Sequence, residues 1–260
     1  MQYKAVIFDI DGTILPHRKA LSSATKHAVQ RLKDKNLKVI IATGRAPYFS
    51  ESIVEEIGTD SMVFFNGAYV SHEGQELYKN TIDNKILTNV FQLTRDYNHA
   101  LTFLSGKDFR VSDLEHPIVR EAYQHDPWKP GLASQQYWLE EDIYQLFLHC
   151  EVEEELSYQK MIPELDFRRW TSGEARTCDV NLSKSNKSVG ITKLLERVGI
   201  APDEAVAFGD GLNDIEMLSF VGMGVAMGSA LDEVKRAAKM VTLSAEEDGV
   251  AVGLERLGLI

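Results

Sequence analysis

The sequence predicts an α/β protein, a parallel-sheet core interrupted near its middle by an α+β insertion. Three observations carry that expectation. Short apolar runs alternate with helix-like stretches over the first eighty residues and again after Asn186. Between them, from about Thr81 to Asp179, the alternation gives way to a mixed segment rich in aromatics and polar loops. The apolar runs of the outer parts end in the polar turns DID, ATGR and GDGLND, at the strand edge where open α/β sheets bind ligands.

Taken in order, residues 3–8 include Ala5, Val6, Ile7 and Phe8 and read as a buried strand. Residues 21–35 fit a helix, with Ala24, Ala28, Val29 and Leu32 at helical spacing. LKVIIATGR is a second strand, residues 49–57 a helix and MVFF a third strand. NGAYVSHEGQELY reads as a hairpin turning at Glu73 and Gly74. Strands separated by helices call for right-handed crossovers and a parallel sheet. In the insertion, Ile86, Val90 and Leu93 mark an amphipathic helix, followed by the Pro-containing HPIVREAYQHDPWKPG. IYQLFLHC is strand-like, and LDFRRWTS with EARTCDVNL forms a second hairpin. Beyond it, residues 188–198 read as a helix, EAVAFGD as a strand and NDIEMLSF as a helix, with glycine-rich sequence over residues 221–227. The expected domains are residues 1–81 with 180–260 for the core, and 82–179 for the insertion.

A length of 260 residues accommodates two domains, and 44% hydrophobic content suits packed cores. Lysine and arginine number 28 against 39 acidic residues, a net charge of −11, which argues against nucleic acid or an anionic membrane as a partner. The longest uncharged run, residues 217–231, is broken by Gly222, Gly224 and Gly228 and is too short to span a bilayer. Asp9 and Asp11 interrupt the only apolar stretch near the N-terminus, so no signal peptide is expected. Two cysteines, Cys150 and Cys178, read as reduced, buried thiols of a cytoplasmic protein. Oligomeric state is not legible.

Four polar clusters carry chemistry. In an extended chain Asp9 and Asp11 project from the same side, which is unfavourable unless a cation sits between them or they share a proton. Gly12 then permits a sharp turn. Thr43, Gly44 and Arg45 form a turn whose amides and hydroxyl could hold an anion; read blandly, it is an ordinary strand-to-helix turn with Arg45 paired to an acid. Lys184 or Lys187 offers a cation near a helix start, and GDGLND offers Asp210, Asn213 and Asp214. Oxygen donors suit Mg²⁺, and the lack of a His/Cys cluster argues against zinc. Alone, the first motif is commonly a surface turn or a fragment of a calcium loop; four clusters in order are far more specific.

FDIDGTIL, IATGR, Lys187 and GDGLNDIEML together resemble the four motifs of the haloacid dehalogenase superfamily, and in particular its Cof-like phosphatases (type IIB), which carry a large cap after the second motif. The resemblance covers the first and last eighty residues, and the insertion matches in position and size. It implies a Rossmann-like core with an inserted α+β cap that closes over the site and selects the leaving group. It also implies a Mg²⁺-dependent phosphatase of small phosphorylated metabolites, sugar phosphates first. Asp9 would be the nucleophile that becomes an aspartyl phosphate, and Asp11 the acid and then the base. Thr43, Gly44, Lys187 and Asn213 would hold the phosphoryl oxygens. The Asp9 carboxylate, the Asp11 main-chain carbonyl and Asp210 would bind Mg²⁺, with Asp214 in support. The segment SKSNKSVGI lacks the glycine that commonly follows the family's lysine, but Lys187 keeps the apolar spacing of Ile191, Leu194 and Leu195 and is preferred to Lys184.

Two alternatives use the same residues: a phosphosugar mutase, returning the phosphoryl group to a sugar, and a signalling module storing it on Asp9. Asp11 argues against the second, since storage does not need a positioned acid. VGMGVAMG has dinucleotide-like glycine spacing but follows a helix, so close strand packing is the expected reason. His149 and Cys150 are neighbours on opposite strand faces and make a poor metal pair. Trp170, Arg168 and Arg176 read as cap packing and solvated charge, with a substrate-facing wall as the sharper alternative.

Overall fold

The computed structural model describes residues 2–16, 20–124, 130–170 and 176–260. The ends of LDFRRWTS and EARTCDVNL at residues 171–175, and residues 125–129 of the Pro-containing stretch, lie outside them. The chain forms two units: Met1–Arg45, Ser50–Lys79 and Asn186–Ile260, and separately Ala46–Phe49 with Asn80–Ser185.

The core unit begins with β1 (Ala5–Phe8), which is buried throughout: Val6 and Phe8 enter one hydrophobic cluster, Ala5 and Ile7 another. Helix α1 (Ser23–Asp34) starts where the Ser22 hydroxyl accepts from the Thr25 amide, and buries Ala28, Val29 and Leu32 in the Phe8 cluster. β2 (Lys38–Ala42) pairs in parallel with β1. α2 (Glu51–Ile57) is preceded by a short 3₁₀ turn at Pro47–Phe49, and β3 (Ser61–Phe64) pairs in parallel with β2. β4 (Tyr69–His72) and β5 (Gln75–Lys79) form the expected antiparallel hairpin.

The insertion contributes α3 (Asn84–Asp96), β6 (Ala100–Ser105), β7 (Phe109–Val111), α4 (Pro117–Ala122), β8 (Ile143–His149), α5 (Glu155–Met161), β9 (Leu165–Arg169) and β10 (Thr177–Leu182). Its five strands lie in the order β7-β6-β8-β10-β9, every pair antiparallel. Leu101, Phe103, Leu146, Leu148, Cys178 and Val180 share one cluster with Leu87 and Val90 of α3 and Tyr158 of α5. This unit differs from the sequence reading in two places. β10 pairs with β9 as far as Leu182, so a boundary at residue 180 falls inside a strand. Ala46–Phe49 also groups with this unit, where the Phe49 ring lies 5.4 Å from that of Phe109.

The core resumes with α6 (Lys187–Val198), β11 (Ala205–Gly209), α7 (Ile215–Phe220), β12 (Met223–Ala226), α8 (Asp232–Ala237), β13 (Met240–Val241) and α9 (Gly249–Arg256). The eight-stranded sheet runs β13-β12-β11-β1-β2-β3-β4-β5, parallel from β13 to β3. One cluster takes Ala28, Val29 and Leu32 of α1, Ile53 and Ile57 of α2, and Val250 and Leu254 of α9; the other takes Ile191 and Leu194 of α6, Met217 of α7 and Val234 of α8. Strand order reverses at β1, which makes its carboxyl end the switch point of the sheet. The glycine-rich residues 221–227 are packing. A Cβ on Gly224 would lie 2.1 Å from the Leu218 carbonyl oxygen, so the strand approaches α7 too closely for any side chain. This is the expected alternative to a dinucleotide loop.

Candidate active site

Three neighbouring strands, β11, β1 and β2, end in the polar turns singled out above. Asp9 follows β1, with its amide donating to the Phe208 carbonyl at 3.0 Å. Asp210 follows β11 and Thr43 follows β2. The turn after β1 lies hard against Asp210: Gly12 has φ +76°, and a Cβ there would sit 2.1 Å from Asp210 Oδ2. Thr13 Oγ1 donates to Asp210 Oδ1 at 3.2 Å. Only glycine fits this turn without displacing the carboxylate.

Lys187 is the first residue of α6, after Asn186, whose side chain accepts from the Val189 amide. Its side chain is wholly buried, and Nζ donates to Asp9 Oδ1 at 2.5 Å and to Asp214 Oδ1 at 2.7 Å. Asp214 Oδ2 accepts from the amides of Asp210 at 3.0 Å and Gly211 at 2.9 Å. Two glycines draw the helix start inward. A Cβ on Gly67 would lie 2.1 Å from the Asn186 carbonyl oxygen, and one on Gly190 would lie 2.6 Å from Val63 Cγ1. Lys184, by contrast, is exposed and belongs to the cap unit.

Oxygens of Asp9, Asp210 and Asp214 lie within 4.8 Å of one another. Three carboxylates converge on the Lys187 ammonium in a mostly buried space, an excess of acidic groups over the lysine that binds two of them. Burial pushes the Asp9 carboxyl well above its ordinary value; Lys187 opposes this, while Asp214, Asp210 and Asp11 reinforce it. Burial also works against the Lys187 charge, but Asp214 and Asp9 outweigh it and hold the ammonium above its usual pKa. Hard oxygen donors in this excess fit a divalent cation. A second cluster, Cys150, Glu155 and Cys178, is already served by a cation. Arg169 donates to both Glu155 oxygens and to Cys150 Sγ at 3.4 Å.

Asp11 is placed differently. Its side chain is 56% exposed, and the Arg45 guanidinium grips it through both oxygens, Nε to Oδ2 at 2.8 Å and Nη2 to Oδ1. Thr43 is buried, and its hydroxyl oxygen accepts from the Arg45 amide at 3.1 Å. Gly44 faces Asn66, toward which a Cβ would come within 3.1 Å. Asn213 Nδ2 donates to Asn66 Oδ1 at 2.9 Å. Asn66, with φ 51°, was missed from the sequence. The available signal was the Asn-Gly pair ending MVFF, at the same rim as the other three motifs.

His149 lies within the cap, hydrogen-bonded to Thr102 at 2.8 Å and Thr177 at 3.1 Å, with burial pushing its pKa down to about 3. It is a neutral packing residue. Trp170 donates to Asp179, Arg168 pairs with Asp166, and Arg176 pairs with Glu121 and Glu151, all within the cap. Among the described residues no helix is long and apolar enough to cross a membrane.

Residues 6–254 match the family described as haloacid dehalogenase-like hydrolase. The chain belongs to that family. Within it, this hydrolase has the Rossmann-like core and inserted α+β cap of the Cof-like, type IIB members. It is 35% identical, over all of both chains, to the putative phosphatase YkrA of Bacillus subtilis. It is 32% identical to the 5-amino-6-(5-phospho-D-ribitylamino)uracil phosphatase YitU of the same bacterium, over 95% of this chain and 94% of YitU. The solved structure of the HAD subclass IIB sugar phosphatase BT4131 superimposes with a TM-score of 0.85 at 28% identity, covering 99% of this chain and all of that one. The haloacid dehalogenase-like hydrolase described here is a phosphoric monoester hydrolase.

Proposed function

We propose that this hydrolase is a Mg²⁺-dependent phosphatase of small phosphorylated metabolites, sugar phosphates first, acting through an aspartyl phosphate on Asp9. The observation that carries the reading is the Lys187 ammonium between Asp9 and Asp214, at the rim where Asp210, Thr43 and Asn213 also end. A carboxylate is a competent phosphoryl acceptor, and catalysis of phosphoryl transfer rests on positioning and charge neutralisation. Relatives named for a sugar phosphatase and for a phosphoribitylamino-uracil phosphatase support a hydroxylated leaving group. The two free, buried cysteines accord with a cytoplasmic enzyme.

In this mechanism an Asp9 oxygen attacks phosphorus as the ester P–O bond breaks, and Asp11 gives its proton to the departing oxygen. Thr43, Gly44, Lys187 and Asn213 hold the phosphoryl oxygens, and Lys187, itself held by Asp214, fixes Asp9 for attack. Asp11, now a carboxylate, takes a proton from the water that attacks phosphorus and frees phosphate, restoring Asp9. Mg²⁺, held by the Asp9 and Asp210 carboxylates and the Asp11 carbonyl with Asp214 in support, would neutralise charge on the transferring group. The test is a panel of phosphorylated metabolites with Mg²⁺, scored for free phosphate and for isomerised sugar phosphate. Free phosphate supports the reading; isomerisation without release would make the enzyme a mutase, and a stable phosphoprotein a storage module.

A further inference from the structure

We propose that Arg45 is a positioning residue for the acid step, holding and aiming the Asp11 carboxyl group at the leaving oxygen. The inference rests on the reading of Asp11 as acid and base given above.

Asp11 is the exception among the four acids of the site. Asp9 and Asp214 are buried and fixed by Lys187, and Asp210 is held by Thr13 and the tight turn at Gly12. The Asp11 side chain is 56% exposed, where a carboxylate would otherwise sample several rotamers. A general acid works only within hydrogen-bond reach of the atom it protonates, and a misplacement of about 1 Å can cost about 10²-fold in rate. The planar fork of Arg45 meets both Asp11 oxygens, which fixes the plane of the carboxylate as well as its position. A lysine would supply charge without that orientation.

Arg45 is itself anchored. Its amide donates to Thr43 Oγ1 at 3.1 Å, and its carbonyl accepts from the Phe65 amide at 3.1 Å. The turn after β2 thereby holds a group on the loop after β1. The two-oxygen fork is that of the Asp11 carboxylate; in the acid form one oxygen carries the proton toward the leaving group, while Arg45 keeps its contact with the other. As the ester bond breaks, the Asp11 proton goes to the leaving oxygen and the carboxylate remains paired with Arg45.

The experiment compares kcat/KM, which covers binding through ester cleavage, for two aryl esters. Phenyl phosphate expels a phenol of pKa about 10 and needs an acid, whereas 2,4-dinitrophenyl phosphate does not. The variants are Arg45→Met, Arg45→Lys, Asp11→Asn and the double variant Asp11→Asn/Arg45→Met, each checked by circular dichroism. Arg45→Met is expected to lose about 10- to 100-fold more on phenyl phosphate than on the dinitrophenyl ester, with Arg45→Lys between it and wild type. On phenyl phosphate the double variant should lose no more than Asp11→Asn alone. Equal losses on both esters, or a double loss equal to the product of the single ones, would mean that Arg45 serves binding or folding and overturns the proposal. If Asp11→Asn itself loses equally on both esters, the acid role of Asp11 falls first and takes this inference with it.

Discussion

Lys187 Nζ lies 2.5 Å from Asp9 Oδ1, across 178 residues of sequence, with the ammonium entirely buried. Removing the cation leaves Asp9 and Asp214 buried without it, and breaking such a pair typically costs about 3–5 kcal/mol. Loss of one electrostatic stabiliser of a transition state typically costs about 10²–10³ in rate.

Lys187→Ala should therefore unfold at a lower denaturant concentration than wild type and, where folded, lose kcat/KM on that order. Lys184→Ala, altering an exposed residue of the cap unit, should change neither much. Both are measured on one substrate with denaturant midpoints. A large loss confined to Lys184→Ala would reverse the assignment.

Mg²⁺ should raise the melting temperature, because an ion that binds only the folded cluster of Asp9, Asp210 and Asp214 stabilises by mass action. Asp210→Asn should lose most of that shift. Excess chelator should abolish turnover and added Mg²⁺ restore it. Undiminished turnover in chelator would remove the metal from the mechanism.

Asp179 gives a stability prediction in the cap. Burial raises its carboxyl to a pKa of about 6, against the Trp170 hydrogen bond and Arg168, which lower it. The folded protein keeps a proton that the unfolded chain releases near pH 4, so stability falls as pH rises from about 4 to about 6. Asp179→Asn keeps the acceptor for Trp170 and removes the charge. Its urea midpoint should exceed that of wild type at pH 7, with the advantage gone below pH 4. An equal advantage at both values would assign the effect to something other than ionisation.

Much of the core was legible because parallel strands buried on both faces read as unbroken apolar runs, as AVIF and AVAF do. The order of polar motifs at their ends then located the rim. Lys187 was separable from Lys184 because Asn186 could cap a helix whose apolar spacing began just beyond it. β6 is hard to read because Thr102 and Ser105 interrupt its apolar run, and β13 because it has only two residues. α9 carries glycines within its span, which weaken a helical pattern. The cap boundary was misplaced because Asn181 and Leu182 look alike in either domain until β9 is known to pair with them. Asn66 and the fork from Arg45 to Asp11 depend on partners 147 and 34 residues away, which local spacing does not encode.

The most direct test of the account asks where the phosphoryl group goes. Asp11→Asn should still be phosphorylated by 2,4-dinitrophenyl phosphate with Mg²⁺ but lack the base that hydrolyses the product. Acid quenching during turnover, followed by peptide mass spectrometry, should find one phosphoryl group on the peptide carrying Asp9. Asp9→Asn should carry none and should retain less than about a tenth of wild-type turnover. A phosphoryl group on another residue, or one that persists in Asp9→Asn, would contradict the assignment of Asp9 as the nucleophile.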